Sequence, residues 1–236
     1  MVQHKEMGEK LLMLSAEPKL PRPVVYRLPQ YLARVRELRD SGAEWVSSSE
    51  LARDLGLTSS TVRQDLSHLQ VCGVSRRGYP TRKLEQLLSR VLGANRVHRV
   101  VIVGAGYLGT ALALHGGLAE QGFQVCGIFD DDPAIIGDRV GPLRIQPMTE
   151  LNKSVKEHRI EIGLITVPAA AAQEVADRLI AAGVRGLLNL AYAQVRVPER
   201  VALMDARLIA NLQQLAYIIR NRNGDPVRSR REKEST

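Results

Sequence analysis

Three glycines with the spacing G-x-G-x-x-G stand at positions 104–109, directly after a run of β-branched residues that ends at Val103. An acidic residue follows the next predicted strand, about 20 residues after the last of these glycines. A glycine turn between a strand and a helix lets backbone N–H groups approach a pyrophosphate, and the helix N-terminus adds a positive dipole. The motif predicts a dinucleotide-binding site formed by Gly104, Ala105, Gly106, Tyr107, Leu108, Gly109, Asp130 and Asp131.

The carboxylate after the second strand indicates which dinucleotide is bound. Asp130 would accept hydrogen bonds from both hydroxyls of an adenosine ribose, and its charge would repel a 2′-phosphate. The sequence therefore favours NAD(H) over NADP(H). The alternative is a related domain that holds another nucleotide, such as coenzyme A, or no ligand at all.

Two later segments follow predicted strands at residues 162–167 and 186–190. In an open parallel sheet, ligands bind outside the carboxyl ends of the strands. We therefore expect these segments to line the nicotinamide half of the site. Their residues are Thr166, Val167, Pro168, Asn189, Leu190 and Ala191.

A second group of polar and basic side chains lies nearer the N-terminus. Between Thr58 and Leu69 the apolar residues recur at helical spacing, which leaves Arg63 and Gln64 on the opposite face. In the major groove, arginine can bind guanine and glutamine can bind adenine through paired hydrogen bonds. A glycine-bounded basic turn at residues 73–79 follows, as expected of a wing. The predicted DNA-binding residues are Ser59, Ser60, Thr61, Arg63, Gln64, Ser67, Arg76, Arg77 and Tyr79; the alternative is a solvated, charged helix.

The elements that must position these residues divide the chain of 236 residues into two domains with flanking segments. We predict a flexible arm at 1–24, a winged-helix DNA-binding domain at 25–95 and a Rossmann-type NAD(H)-binding domain at 96–203. A C-terminal amphipathic dimerisation helix at 204–222 and a disordered tail at 223–236 complete the prediction. The fold class is α/β, with a doubly wound parallel sheet. Most of the net charge of +8 falls in the first 96 residues, which favours nucleic acid as a partner of that part.

Composition excludes several other classes of protein. With 44% hydrophobic and 25% charged residues, the chain is typical of a globular protein. No apolar run is long enough for a membrane span or a signal peptide, so we expect a cytoplasmic protein with no membrane partner. The two cysteines, Cys72 and Cys126, form no C-x-x-C pattern, and we predict no metal site.

A small NAD-dependent oxidoreductase, with the basic part serving assembly, is the alternative function. Such an enzyme needs a proton donor or acceptor beside the nicotinamide. The part of the sequence from the glycine turn onward contains no Tyr-x-x-x-Lys motif, and none of the five histidines of the chain falls at a predicted cleft. The chain after the glycine turn also leaves no room for a separate substrate domain. We therefore predict that the protein is not an enzyme.

Over residues 25–222 the chain resembles the Rex family of redox-sensing transcriptional repressors. The resemblance rests on six segments in the family's order. These are Val62-Arg63-Gln64-Asp65-Leu66-Ser67, Arg77-Gly78-Tyr79, the glycine motif at 104–109, Phe129-Asp130-Asp131-Asp132-Pro133, Thr166-Val167-Pro168 and Leu188-Asn189.

The resemblance implies a homodimeric repressor that senses the cytoplasmic NADH/NAD⁺ ratio on a palindromic double-stranded operator. It implies that the C-terminal helix inserts against the partner's nucleotide domain. It also implies that NADH releases the DNA, whereas NAD⁺ competes for the site without releasing it. Three positions depart from the family pattern: Gln64 stands where lysine is frequent, Ser75 where the basic wing residue usually lies, and Arg207-Leu208 where an Asp-Phe pair is common.

Overall fold

The computed structural model describes residues 20–222. It divides the chain into two compact units, with the boundary between Arg96 and Val97. Nearly all of the predicted arm and the whole of the predicted tail lie outside the described residues. The two units are described separately below.

Within residues 20–96, the N-terminal unit is a helical domain with a short antiparallel sheet. Its first helix begins at Arg22, three residues inside the predicted arm, because Pro21 and Pro23 suit the first turn, where a missing N–H is not needed. The apolar residues of the four helices share one core, which includes Leu28, Leu51 and Leu88. The elements are α1 (Arg22–Asp40), β1 (Trp45–Val46), α2 (Ser48–Arg53), α3 (Ser59–Ser67), β2 (Tyr79–Pro80) and α4 (Thr81–Val91).

Helices α2 and α3 form the predicted helix-turn-helix, and side chains define where each begins. Ser47 accepts a hydrogen bond from the backbone N of Glu50 at 3.1 Å, while Glu50 accepts one from the backbone N of Ser47 at 2.7 Å. Thr58 accepts a hydrogen bond from the backbone N of Thr61 at 3.1 Å at the start of α3.

A buried carboxylate attaches α3 to α1. Asp65 of α3 is 2% exposed, and it accepts hydrogen bonds from Arg27 at 2.6 and 2.7 Å and from the hydroxyl of Tyr31 at 2.6 Å. Burial alone would raise the pKa of Asp65, but these bonds outweigh it and hold the pKa below its ordinary value. The interaction fixes the rotation of α3, so that Arg63 and Gln64 face solvent.

The C-terminal unit contains a seven-stranded sheet within residues 97–222. The strand order is β5-β6-β4-β3-β7-β8-β9, and every neighbouring pair is parallel except β5 with β6. This is the Rossmann arrangement, in which the order reverses between β3 and β7. The strands are β3 (His98–Val103), β4 (Phe123–Asp130), β5 (Arg139–Val140), β6 (Leu143–Pro147), β7 (Ile162–Ile165), β8 (Gly186–Asn189) and β9 (Ala202–Asp205).

Helices cover the two faces of this sheet unequally. One face packs against α7 and α8, and its core includes Val101, Phe129 and Leu179. The other face carries Val100 and Ile102 and packs against α5. The helices are α5 (Tyr107–Leu114), α6 (Gly116–Glu120), α7 (Leu151–Glu157), α8 (Ala172–Ala182) and α9 (Leu208–Arg222), with 3₁₀ turns at Met148–Glu150 and Ala169–Ala171.

The last helix begins later than predicted. Residues 204 and 205 belong to β9, which pairs with β8, and α9 starts at Leu208. The boundary at 204 was wrong because β9 is short and its ladder bonds to β8 are invisible in a local pattern. Along α9, Leu208, Leu212, Leu215 and Ile219 recur at helical spacing, and each is at least half exposed.

Replacing Asp65 by asparagine should destabilise the N-terminal unit by about 2 kcal/mol, because Arg27 loses its charged partner. The only tryptophan, Trp45, lies in this unit, so urea unfolding followed by its fluorescence measures the change. Because the folded pKa of Asp65 is lowered, its contribution is present above about pH 3.9 and is lost as the pH falls. The difference between the two proteins should therefore shrink in acid. Equal unfolding midpoints at pH 7 would contradict the role given to Asp65.

Candidate cofactor site and nucleic-acid interface

The glycine turn joins β3 to α5 at the point where the strand order reverses. Gly104 has φ +105, a conformation that L side chains rarely adopt, and a Cβ there would lie 2.8 Å from the carbonyl of Thr166. At Gly109, a Cβ would lie 1.9 Å from the carbonyl oxygen of Gly104. Both positions therefore require glycine, because the helix and two strands meet with no space for a side chain.

Gly106, the middle glycine of the motif, has open space around it instead. A Cβ at Gly106 would meet no atom within 4 Å, so space remains beside the backbone where α5 begins. The side chain of Tyr107, the first residue of α5, is 99% exposed. A ligand can therefore approach the N–H groups of the first helical turn, which is where an anionic pyrophosphate binds in this motif.

Asp130 ends β4 and lies beside the glycine turn. Its carboxylate accepts hydrogen bonds from the backbone N of Ala105 at 2.7 Å and of Asp132 at 2.9 Å. These bonds hold one charged group at the carboxyl edge of the sheet, next to the first helical turn. Asp131 is turned to a different partner and forms an ion pair with Arg178 of α8 at 2.9 Å.

Two polar residues predicted to line the nicotinamide half already use their side chains within the protein. The hydroxyl of Thr166 lies 2.9 Å from the carbonyl oxygen of Val103 and 2.8 Å from that of Gly104, and it donates to them. Asn189 is 1% exposed and donates to the carbonyl of Ala193 at 2.8 Å and to Asp205 at 3.0 Å. Both side chains therefore hold backbone segments in place.

The other residues predicted to line the nicotinamide half of the site form fewer side-chain contacts. Asn189 also accepts a hydrogen bond from the backbone N of Ala191 at 3.1 Å. Val167 and Ala191 pack at the margin of one core of the unit, and Leu190 packs at the margin of the other. Pro168 caps the 3₁₀ turn that precedes α8. The sequence did not predict the contact between Asn189 and Asp205, since nothing local indicates that β9 pairs with β8.

An apolar cavity of about 370 Å³ lies against the sheet. Its walls come from β3, β4, β7, β8 and β9 and include Val100, Phe123, Ile162, Leu164, Leu188 and Met204. The sequence did not predict this cavity, because alternation along a strand indicates a buried face without showing what covers it.

The predicted recognition helix α3 presents a polar face. Val62 and Leu66 are buried, whereas Arg63, Gln64 and Ser67 are exposed. The Ser67 hydroxyl donates to the carbonyl of Gln64 at 2.7 Å. Near the start of the helix, the hydroxyls of Ser60 and Thr61 each lie 2.8 Å from that of Thr58, and Ser59 is partly exposed.

The basic turn before β2 gives its three predicted DNA-binding residues different surroundings. Tyr79 is only 5% exposed, and burial raises the pKa of its hydroxyl. The guanidinium of Arg77 lies 4.4 Å from the centroid of the Trp45 ring. Arg76 is exposed, with φ +62.

The described residues show neither a cluster of metal ligands nor a membrane-spanning helix. Between residues 20 and 222, no three His, Cys, Asp or Glu side chains are grouped as metal ligands would be. Over the same range, none of the helices combines the length and the apolar character that crossing a bilayer requires.

Comparison with known proteins gives matches to both units. Residues 19–67 match the family model described as "Putative DNA-binding protein N-terminus", and residues 95–193 match the model "CoA binding domain". The redox-sensing transcriptional repressor Rex 1 of Thermotoga maritima is 42% identical over 206 residues, which cover 87% of this chain and 98% of that protein. Rex of Streptomyces coelicolor is 39% identical and covers 92% of this chain and 88% of its own length.

Solved structures also match most of the chain. The crystal structure of RSP in complex with β-NAD⁺ and operator DNA has a TM-score of 0.81 and 28% identity, and it covers 92% of this chain and 99% of its own. The crystal structure of RSP in complex with β-NADH has a TM-score of 0.79 and 30% identity, covering 87% and 96%. RSP is a Rex-family repressor. The chain therefore belongs to the Rex family of redox-sensing transcriptional repressors.

Proposed function

We propose that this protein represses transcription by binding a double-stranded DNA operator, and that NADH, bound in the Rossmann unit, releases it. The observation that carries the proposal is that one chain holds both a helix that exposes Arg63 and Gln64 and an acidic residue fixed beside a glycine turn. Relatives solved with NADH, and with NAD⁺ and operator DNA, support both ligands. Because a transcriptional repressor must reach DNA inside the cell, we place the protein in the cytoplasm.

The residues beside the glycine turn fit a dinucleotide. The space at Gly106 admits a pyrophosphate to the backbone N–H groups where α5 begins. The Asp130 carboxylate can accept hydrogen bonds from the ribose hydroxyls while it keeps its bond from Ala105, because each carboxylate oxygen accepts more than one bond. Its negative charge would repel the 2′-phosphate of NADP(H).

Discrimination between NADH and NAD⁺ must arise where the two ligands differ, at the nicotinamide, which is neutral in NADH and cationic in NAD⁺. An effector shifts a binding equilibrium only by its differential affinity for the two arrangements of the protein. Thr166 and Asn189 hold backbone segments, so the groups left for the nicotinamide are backbone atoms and the apolar side chains of Val167, Pro168 and Leu190. An apolar lining favours the neutral, reduced ring over the cation.

We further propose that the protein is a homodimer. Helix α9 exposes a full apolar stripe, and the sheet bears an apolar cavity on β3 and β7–β9. A soluble monomer rarely exposes contiguous apolar surface of this kind. Insertion of α9 against the nucleotide-binding unit of a second copy would bury both surfaces. A two-fold dimer also suits a palindromic operator, because each copy would contact one half-site.

The enzyme and coenzyme A alternatives are less well supported. Rex proteins are repressors, and the relatives with bound nucleotide hold NADH or NAD⁺. The model named for coenzyme A matches residues 95–193, which form most of the Rossmann unit.

The decisive experiment measures fluorescence anisotropy of a labelled duplex, selected from a random pool, with the full-length protein. We expect NADH to release the duplex, NAD⁺ to leave it bound and to raise the NADH concentration needed, and NADPH to have no effect. NADH fluorescence shows in the same samples whether the cofactor is bound. Persistent DNA binding with NADH bound would overturn the proposal.

Replacing Asp130 by asparagine should weaken NADH binding about tenfold or more, because a charged acceptor of ribose hydrogen bonds becomes a neutral one. The preference for NADH over NADPH should narrow, since the repelling charge is gone. DNA binding without cofactor should be unchanged. Calorimetric titration measures the affinities, with Asp138→Asn, an exposed acidic residue after β4, as the matched control. Unaltered NADH affinity in Asp130→Asn would exclude Asp130 from the site.

Replacing Leu212 by glutamate should dissociate the dimer, because a charge is then placed in the middle of the apolar stripe of α9. Light scattering after gel filtration should give twice 26.1 kDa for the unaltered chain and about one chain mass for the variant. Gln213→Glu adds the same charge at the next position of the helix and should remain dimeric. A dimeric Leu212→Glu protein would show that α9 is not the interface.

A further inference from the structure

The basic turn between α3 and β2, which we call the wing (residues 73–78), is folded tightly against β1. Val74 and Gly78 are bridged by hydrogen bonds of 2.7 and 2.9 Å. Gly78 has φ +87, and a Cβ there would lie 2.3 Å from the carbonyl oxygen of Val46. The backbone at the base of the wing is therefore fixed by these contacts. What the wing can bind depends on its side chains.

Arg77 has a partner inside the unit. Its guanidinium lies 4.4 Å from the centroid of the Trp45 ring, within the range of a cation–π interaction. Trp45 is partly buried at the start of β1, and the pairing of Val46 with Tyr79 brings β1 beside the end of the wing. The guanidinium thus joins the wing to β1 through a side-chain contact as well as through the backbone.

Arg76 differs from Arg77 in its backbone conformation and in its contacts. It occupies the left-handed region at φ +62, and its side chain is exposed. Within residues 20–222 it forms no ion pair or hydrogen bond, whereas several other arginines of the N-terminal unit pair with carboxylates. Its charge is therefore available to an external anion without breaking any internal contact.

We propose that Arg76 is the residue through which the wing contacts DNA, and that Trp45 and Arg77 are positioning residues that hold the wing in place for it. This inference rests on the proposed DNA-binding function and divides the roles of two adjacent arginines. Any movement toward DNA that takes the Arg77 guanidinium off the Trp45 ring would cost about two- to fivefold in an equilibrium constant at an exposed site. Arg76 reaches DNA at no such cost.

The test is a double-mutant cycle on the full-length protein, measured as duplex affinity over a range of salt concentrations. The variants are Arg76→Ala, Arg77→Ala and the two combined, with Arg90→Ala, an exposed arginine of α4, as the control. Arg76→Ala should lower affinity about tenfold and reduce the slope of log affinity against log salt by about 0.9, the value for one phosphate contact. Arg77→Ala should lower duplex affinity two- to fivefold on its own and should lower it no further in the Arg76→Ala background.

Variants of Trp45 distinguish positioning from direct contact. Trp45→Ala should reproduce the loss seen with Arg77→Ala, while Trp45→Phe keeps an aromatic ring and should restore most of the affinity. As Trp45 is the only tryptophan, its quenching by acrylamide reports the stack directly and should increase in Arg77→Ala. NADH affinity, which depends on the other unit, should be unchanged in all of these variants. An unchanged far-ultraviolet circular dichroism spectrum shows that the N-terminal unit is folded.

Several results would overturn the inference. Arg77 itself contacts DNA if two results are found together. Arg77→Ala then lowers duplex affinity by the same factor in both backgrounds, and the double variant reduces the slope of log affinity against log salt by about 1.8. An unchanged affinity in Arg76→Ala, or unchanged quenching in Arg77→Ala, would equally refute it. If the unaltered protein binds no duplex while it binds NADH, the proposed DNA-binding function fails and the inference fails with it. Duplex binding that Arg76→Ala leaves intact removes only the inference.

Discussion

The close contact between α5 and the end of β3 is the constraint on which the cofactor site depends. At Gly109 the helix backbone passes so near the carbonyl oxygen of Gly104 that no side chain fits between them. The Thr166 hydroxyl donates to that same carbonyl, so β7 is drawn to the same point. This packing aims the free N–H groups of α5 at the edge of the sheet and brings Ala105 within reach of Asp130. The direction of α5, the junction of β3 with β7 and the position of Asp130 are thus fixed by the same contacts.

In the N-terminal unit, a buried charge fixes the orientation of the recognition helix. Its recognition helix is short, and a helix of nine residues has little intrinsic stability in water. The hydrogen bonds from Arg27 and Tyr31 to Asp65 supply a directional contact that apolar packing alone does not give, because hydrophobic contacts tolerate rotation and sliding. The exposed face of α3 is therefore defined by a residue that itself never reaches solvent.

Local patterns predicted the elements that are strongly periodic or carry a fingerprint. The glycine motif, the parallel strands β3, β4, β7 and β8 and the helix-turn-helix all follow from residues close together in the chain. Features that depend on distant partners were not predictable. The burial of Tyr79, the stacking of Arg77 on Trp45 and the contact of Asn189 with Asp205 each join segments that only the folded chain brings together. The same limit explains why the predicted dimerisation helix, 204–222, includes the last two residues of β9.

The exposed apolar stripe of α9 links folding of the proposed dimer to the amount of protein present. A helix that gains its packing from a second copy is stabilised by mass action, so its thermal midpoint rises with protein concentration. At low copy number, subunits with bare helices would be the first to be bound by chaperones or degraded by proteases. The dosage of the chain would then set how much assembled protein persists, independently of any cofactor.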